Sequence, residues 1–399
     1  MKPKILLVTK FYYRRGGDCV AAMNLERLLR DNGHEVAVFA MDYPDNVDSP
    51  WRSYWPSEVS FAGGAKAKFA AVGRTLGRGE VVGKFKRLLD DFRPDVVHMH
   101  NIHSYLSPVV GSLAHKRGIK VVWTLHDYKL LCPGYSCLRR GEVCELCFHD
   151  KKKVLTERCM KGSLAASAIA WIEALRWNRR RLQHDTDMFI CPSRFMASKM
   201  EQGGFDHSKL ATVTNFVDPG LHEAFATAGV SDGKGDYYCY VGRLSAEKGI
   251  ETLMKAAASL PYKLKVAGGG PLADELRARY ADSPSIEFLG HLDGAGVRSL
   301  LAGARFSVLP SEWYENNPLG VIESLCAGVP VVGSQMGGIP ELITDGRGLT
   351  YPAGDDRALA EAIEKAWNAD FDRDAIRRDS LREFAPSTHY GRLMEIYSL

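Results

Sequence analysis

Two carboxylates with seven residues between them, Glu315 and Glu323, bracket Asn-Asn-Pro and a glycine in the stretch EWYENNPLGVIE (312–323). The stretch follows an apolar run, FSVLPS (306–311), and leads into an apolar helical pattern. That order places it at the carboxyl edge of a strand, where parallel sheets bind ligands. A helix is expected to begin near Leu319, with Pro318 suited to its first turn because the missing N–H is no loss there. The N–H groups of Leu319, Gly320 and Val321 would then point at an anion, reinforced by the helix dipole. Glu323 would accept from vicinal hydroxyls such as those of a ribose. Glu315, beside Asn316 and Asn317 on the loop, would reach a second polyol across a diphosphate. The bland alternative is a solvated loop acid and a helix acid paired locally; the companions of the pair argue for the ligand reading.

Those companions are three more loops that follow strand-like runs. YVGRLSAEKG (240–249) carries Gly242, Arg243 and Lys248, and the five-residue spacing lets an Arg fork and a Lys point charge converge on one phosphate. VAGGGPL (266–272) is glycine-rich, and FLGHLD (288–293) has a backbone that could meet a base edge. In the first half, Gly16 and Gly17 stand between a strand and a helix, without the GxGxxG spacing of a dinucleotide fingerprint. HMHN (98–101) and TLHDY (124–128) each place histidines at a strand end, with His126 as the site residue, Asp127 beside it and His100 behind it.

The elements needed to hold such loops repeat one grammar, a short β-branched run, a polar or glycine turn and a longer amphipathic stretch, so the fold class is α/β with parallel sheets. At 399 residues the chain divides into two domains. We place them at 1–217 and 218–382, with a linker in 215–236 and a last helix, 383–399, crossing back to the first domain. Strands are expected at 4–11, 34–41, 96–101, 120–127, 187–193, 211–217, 237–244, 262–270, 286–292, 306–311 and 329–334.

No apolar run reaches the roughly 20 residues that span a bilayer, and the start reads as a strand and polar loop rather than a signal peptide; a cytoplasmic protein is expected. Residues 1–200 hold 33 Lys+Arg against 20 Asp+Glu, a balance of +13, and the remainder 19 against 28, a balance of −9. Cations concentrate in 66–89 and in RWNRRRL (176–182), interleaved with apolar residues. This suits the cytoplasmic face of a membrane or a solvated helix face. Neither stretch forms a nucleic-acid-binding module.

The second half resembles the donor domain of family 4 retaining glycosyltransferases. Their E-x7-E pattern is matched by Glu315 and Glu323, and their G-R-L-x-x-E-K-G pattern by Gly242 to Gly249. The resemblance implies the GT-B fold, two Rossmann-like domains with parallel sheets facing across a cleft. It implies that Arg243 and Lys248 bind the diphosphate and stabilise the leaving group, that Glu323 holds the ribose and that Glu315 contacts the donor sugar. It puts His126 beside that sugar, Gly16 and Gly17 near the reacting centre, and requires no metal for the chemistry. The implied reaction moves a sugar from a UDP- or GDP-sugar to a saccharide, and the basic, apolar-interleaved 66–89 stretch suggests a membrane-surface acceptor such as a lipid-linked saccharide in polysaccharide assembly. Relatives carry Gly-Phe-Gly where this chain has Asn-Asn-Pro (316–318), which leaves the donor sugar open. An epimerase or hydrolase of the same fold, or a binding protein without activity, are the alternatives.

Five of nine cysteines crowd into 132–159. Cys144 and Cys147 form a C-x2-C knuckle flanked by Cys132 and Cys159, a spacing that fits a four-thiolate structural zinc site, with Cys137 and His149 as alternates and reduced free thiols as the competing reading.

Overall fold

The computed structural model describes residues 2–398 except 62, 230–232, 234 and 345, and leaves the side chains of Ala65 and Lys66 undescribed. The chain forms two compact units: residues 1–139, 144–214 and 390–399 make the first, and 140–143 with 215–389 the second.

In the first unit the strands are β1 (Ile5–Val8), β2 (Val36–Phe39), β3 (Val96–Met99), β4 (Lys120–Thr124), β5 (Met188–Cys191) and β6 (Leu210–Thr212). Every pairing is parallel, in the order β2-β1-β3-β4-β5-β6, with Ile5 opposite both Val36 and Val96. The first three strands are buried along their whole length, as β-branched strands covered on both faces must be. The strand order reverses between β1 and β3. Loops 9–16 and 100–108 therefore flank the point where open α/β sheets take ligands.

The second unit repeats the plan with β7 (Tyr237–Val241), β8 (Lys263–Ala267), β9 (Ile286–Gly290), β10 (Ser307–Leu309), β11 (Val331–Ser334) and β12 (Gly348–Tyr351), in the order β9-β8-β7-β10-β11-β12. Here the reversal falls between β7 and β10, and the loops on either side are 242–249 and 310–318. The eleven strands expected from sequence are present, while β12 is an addition, its GLTY sequence being short and half-exposed with no alternating pattern, and so is a separate two-stranded sheet of Leu138–Arg139 and Glu142–Val143.

The helices that matter for function are α1 (Gly17–Asp31), α2 (Ala65–Thr75), α3 (Glu80–Phe92), α4 (Leu164–Arg176), α5 (Pro219–Thr227), α6 (Ile250–Ala258), α7 (Leu319–Cys326) and α8 (Pro386–Ser398). Helix α5 lies inside the stretch read as an irregular linker, part of which (230–232 and 234) is outside the described residues. Its start was legible: Asp218 accepts from the N–H groups of Gly220 and Leu221, and Pro219 occupies the first turn. The end of α8 belongs to the first unit, where Tyr390 meets His34 at 2.9 Å and Tyr397 meets His98 at 2.7 Å.

The basic stretch 66–89 is corrected by the fold. Val81, Phe85, Leu88 and Leu89 of α3 face the core, and Arg74 is buried against Glu80 at 2.9 Å; the apolar interleaving there is ordinary amphipathic packing. Phe69 of α2, 85% exposed, is the exception. A larger apolar face lies on α4, where Leu164, Ile172 and Leu175 are each about half exposed, followed by exposed Arg176 and Arg180.

Candidate functional site

In the second unit the loops after β7 and β10 are joined through backbone and side chains. Glu312 N–H donates to Glu247 O at 3.0 Å. Gly249, at φ +66°, lets the turn lie against Pro310, whose carbonyl oxygen would be 1.9 Å from any Cβ at that position. This close approach delivers Lys248 to Glu315: Nζ lies 2.5 Å from Oε1, which also accepts from Ser311 Oγ at 2.7 Å and Trp313 Nε1 at 2.9 Å. The ammonium also sits 5.0 Å from the Trp313 ring centre. Three donors thus saturate one oxygen of Glu315, while Oε2 makes no hydrogen bond among the described residues.

Arg243 is exposed at the same edge, and its guanidinium has no ion pair or hydrogen bond among the described residues. Its carbonyl is fixed instead, accepting from Tyr240 Oη at 2.8 Å. Helix α7 begins at Leu319, with Pro318 one place earlier than expected, at the N-cap with extended ψ of 119°. The N–H groups of Leu319 and Gly320 meet no protein acceptor among the described residues, and a Cβ on Gly320 would touch nothing within 4 Å. The Val321 N–H is not available, contrary to the sequence reading: it bonds Pro318 O at 3.1 Å because the first turn tightens. Asn317 is spent on structure too, its Oδ1 accepting from Asn215 N and its carbonyl from Asn215 Nδ2, both at 2.8 Å.

Glu323, one turn into α7, makes no side-chain hydrogen bond among the described residues. Burial raises its pKa to about 7, with Asp218 adding to the effect. A half-buried carboxyl without a partner among the described residues is costly unless something arrives to donate to it.

The glycine-rich loop after β8 does something other than cradle a phosphate. Gly268, at φ +134°, would place a Cβ 1.9 Å from Gly242 O, and Leu244 N–H donates to Gly269 O at 2.9 Å. It lets two backbones touch and so positions Arg243. The carbonyl of Gly290, after β9, is taken by Gly268 N–H at 2.7 Å.

At the switch point of the first unit, Gly16 is the N-cap of α1 and Gly17 its first residue, with no side-chain cap. Asp18 follows, hydrogen-bonded by Asn101 Nδ2 at 2.6 Å. Burial pushes Asp18 up, but the field of His126, the Asn101 bond and the Cys19 N–H outweigh it and hold the carboxyl below its ordinary value. His126 Nε2 lies 2.9 Å from His100 Nδ1, and the His98, His100 and His126 rings form a row with centroids 4.6 and 5.2 Å apart. His98 ends that row on Thr124 Oγ1 and Tyr397 Oη, both at 2.7 Å. Burial lowers the His126 pKa against the opposing pull of Asp18 and Asp127. Its imidazole is therefore neutral at neutral pH.

Sequence reasoning missed several groups here. Lys10 lies 4.7 and 4.9 Å over the rings of Phe11 and Tyr105, and burial lowers its pKa although Asp127 and Asp18 pull it up. His103 approaches Asp127 at 3.7 Å, and burial with the nearby Lys129 holds it down to about 3. Phe11, Tyr13 and Tyr43 form a ring cluster with centroids 5.1 to 6.0 Å apart. The signal available was the FYY run directly after β1, at the ligand-bearing edge.

Of the thiols singled out in the sequence, Cys132, Cys137 and Cys147 are buried and Cys144 and Cys159 half-buried, and among the described residues no three of their sulfurs lie within 4.8 Å of one another. Hydrogen bonds from Cys137 and Cys147 hold the Cys132 thiol down and raise the two donors.

Residues 223–386 match the family described as Glycosyl transferases group 1, and residues 16–221 match Glycosyltransferase Family 4. A 42.6 kDa uncharacterized protein in the cps region of Klebsiella pneumoniae is 25% identical over 85% of this chain and 87% of its own. A GDP-mannose-dependent alpha-mannosyltransferase of Mycobacterium tuberculosis is 27% identical over 84% and 80%. Among solved structures, Anabaena HepE in complex with UDP and glucose superposes with a TM-score of 0.67 at 17% identity over the full length of both chains, which establishes the GT-B fold. Arg243, Lys248, Glu315 and Glu323 fall within one family match, and Gly16, Gly17 and His126 within the other. As the second match alone spans more than half of the sequence, the chain belongs to glycosyltransferase family 4.

Proposed function

We propose that the protein is a retaining glycosyltransferase that moves a sugar from a UDP- or GDP-sugar onto a hydroxyl of a lipid-linked saccharide in polysaccharide biosynthesis. The observation that carries this reading is the set of unspent groups at the switch point of the second unit. An exposed guanidinium, two free helix N–H groups and a lysine held by Glu315 suit a diphosphate. The unpartnered carboxyl of Glu323 suits ribose hydroxyls. The GDP-mannose dependence of one relative and the UDP and glucose held by one structural neighbour support a nucleotide-sugar donor, and the cps-region relative supports a role in polysaccharide assembly.

In the proposed reaction the bond from the sugar C1 to the diphosphate breaks, and the acceptor oxygen bonds C1 on the same face. The acceptor proton passes to the departing diphosphate. Glu315 is ill suited to be a nucleophile because three donors already hold one of its oxygens, and this supports front-face transfer. Arg243, Lys248 and the α7 N–H groups stabilise the charge that develops on the leaving group. His126, neutral and anchored on His100, offers a hydrogen bond to a sugar hydroxyl. The Phe11, Tyr13 and Tyr43 rings supply the amphipathic surface that a saccharide acceptor needs.

For the lipid-linked part of the reading, the exposed Leu164, Ile172 and Leu175 of α4 beside Arg176 and Arg180 suit an anionic membrane surface. Among the described residues no helix is long and apolar enough to cross a membrane. Sedimentation with phosphatidylglycerol vesicles should be reduced in Ile172→Glu/Leu175→Glu; equal sedimentation of wild type and variant would remove α4 from the reading.

The primary test is binding and turnover of a panel of UDP-, GDP- and ADP-sugars by wild type, Arg243→Ala and Glu315→Ala. Selection of one donor, weakened by both changes and turned over only with a saccharide acceptor, is the expected result. Turnover that ignores the acceptor would point to an epimerase or hydrolase, and no binding at all would leave no enzyme reading standing.

A further inference from the structure

The stretch KFYYRRGG (10–17), which leaves β1, carries three cations and three aromatic rings in eight residues. Its backbone is pinned on two sides: Lys10 N–H donates to Asn101 O at 2.9 Å, and Met41 N–H donates to Lys10 O at 3.3 Å. Tyr12 turns inward, its hydroxyl donating to Glu26 Oε2 at 2.6 Å and its N–H to Asn46 Oδ1 at 3.3 Å. With Tyr12 as the anchor, half-buried Tyr13 and exposed Arg14 and Arg15 are left on the outside of the loop.

Arg15 is held in place by a ring. Its guanidinium lies 4.2 Å from the Phe11 ring centre, and Lys10 Nζ lies 4.7 Å from the same centre. Two like charges on one ring repel, and neither makes an ion pair among the described residues. The acids nearby are committed elsewhere: Asp18 is held by Asn101, and Asp127 accepts from Lys129 N–H at 2.8 Å. Asp127 and Asp18 offset the charge of Lys10 at longer range. Burial raises the pKa of the Tyr43 and Tyr105 hydroxyls against the opposing charge of Arg15, which puts the guanidinium within electrostatic reach of both. Glu58 acts on the same two hydroxyls yet forms no ion pair with Arg15 among the described residues. The proposed donor chemistry leaves Arg14 and Arg15 unused.

We propose that the saccharide acceptor carries an anionic group, a carboxylate or a phosphate ester, and that Arg15, with Arg14 beside it in the chain, takes that group while the Tyr13 and Tyr43 rings take the sugar. This rests on the acceptor reading of the ring cluster given above. A guanidinium already held on an aromatic ring gives up little conformational freedom when it meets an anion. Carboxylate and phosphate both match its fork of N–H donors. Tyr13 and Tyr43, with ring centres 6.0 Å apart, add an apolar face for the C–H groups of a sugar and hydroxyls for its oxygens.

The full chain is titrated with methyl glucoside, methyl glucuronide and glucose 6-phosphate, followed by nuclear magnetic resonance. One of the anionic sugars should bind about fivefold tighter than the neutral one at low salt, the upper range of a single exposed ion pair; the tighter of the two identifies carboxylate or phosphate. The advantage should vanish for wild type at about 0.5 M salt, where screening is nearly complete. It should also vanish in Arg15→Gln, which keeps the wild-type Tm and the wild-type Kd for UDP and GDP. Equal binding of neutral and charged sugars by wild type overturns the inference and leaves the acceptor reading standing. Binding of nucleotide but of no sugar removes the acceptor reading and the inference with it. An advantage that survives in Arg15→Gln, or a loss of nucleotide affinity there, takes Arg15 out of the acceptor site.

Discussion

The ligand-bearing edges of the two units are built in opposite ways. In the second, three loops pressed together at Gly249 and Gly268 hold a lysine on a glutamate, and leave an arginine, two N–H groups and a carboxyl unspent. In the first, titratable groups are consumed by one another: a row of three histidines ends on Tyr397, and Asp18 is taken by Asn101. Charges that wait for a ligand belong to binding and leaving-group stabilisation, whereas neutral groups locked in a row belong to orientation. The comparison predicts that changes in the second unit act on donor affinity and rate together, and that changes in the first act on rate.

The largest effect should come from Arg243→Ala. Its guanidinium has no structural work to lose, so stability is expected to be unchanged while kcat falls about 100- to 1,000-fold, the range seen when one preorganised donor to a developing charge is removed. Steady-state kinetics beside thermal unfolding checks this. A stability loss equal to that of a core substitution would mean that the residue is structural and would blur the distinction between the units.

How much of this was readable follows the same division. In the second unit the functional groups lie in two short stretches, 242–249 and 310–323, and the strands before them are apolar runs, so both fold and site are visible locally. What escaped were commitments made at a distance or by local tightening. Asn317 is claimed by Asn215, 102 residues away, and Val321 N–H by a tight first turn. In the first unit His98, His100 and His126 come from two strands that are neighbours only in the sheet, and the row is closed by Tyr397 from the last helix. No spacing rule could place Lys10 between Asp18 and Asp127, because those partners follow β1 and β4 at different depths of the chain. The basic stretch misled for the related reason that periodicity shows an apolar face without showing what covers it.

Glu323→Gln sharpens the comparison through pH. The free-unit pKa of about 7 lies above the ordinary glutamate value of 4.5. As pH rises from 4.5 to 7 the unfolded chain ionises first, so stability falls across that window and is flat above it. The difference of about 2.5 units sets an upper bound of about 3 kcal/mol. Gln should therefore raise Tm at pH 8, leave it unchanged at pH 4, and weaken donor binding at both. A variant with the same Tm as wild type at pH 8 would mean that the carboxyl is not desolvated in the free protein.

His126→Ala is expected to lower kcat about tenfold, in line with the loss of one hydrogen bond, and to leave the donor Kd where it is. Isothermal titration with the selected nucleotide sugar separates the two. A weakened Kd would place His126 among the binding groups and make the two edges alike.

The smallest change, Gly17→Ala, asks whether the open start of α1 is open for a reason. An added Cβ there meets no atom within 4 Å, and the residue already lies in helical conformation. On intrinsic grounds alanine should stabilise the helix by about 0.5–1 kcal/mol. If the space is kept for substrate, the variant is more stable than wild type yet turns over more slowly, with the loss in kcat/KM for the acceptor. If turnover is unchanged, the glycine pair is a feature of chain geometry alone, and the contribution of the first unit narrows to the histidine row and the ring cluster beside it.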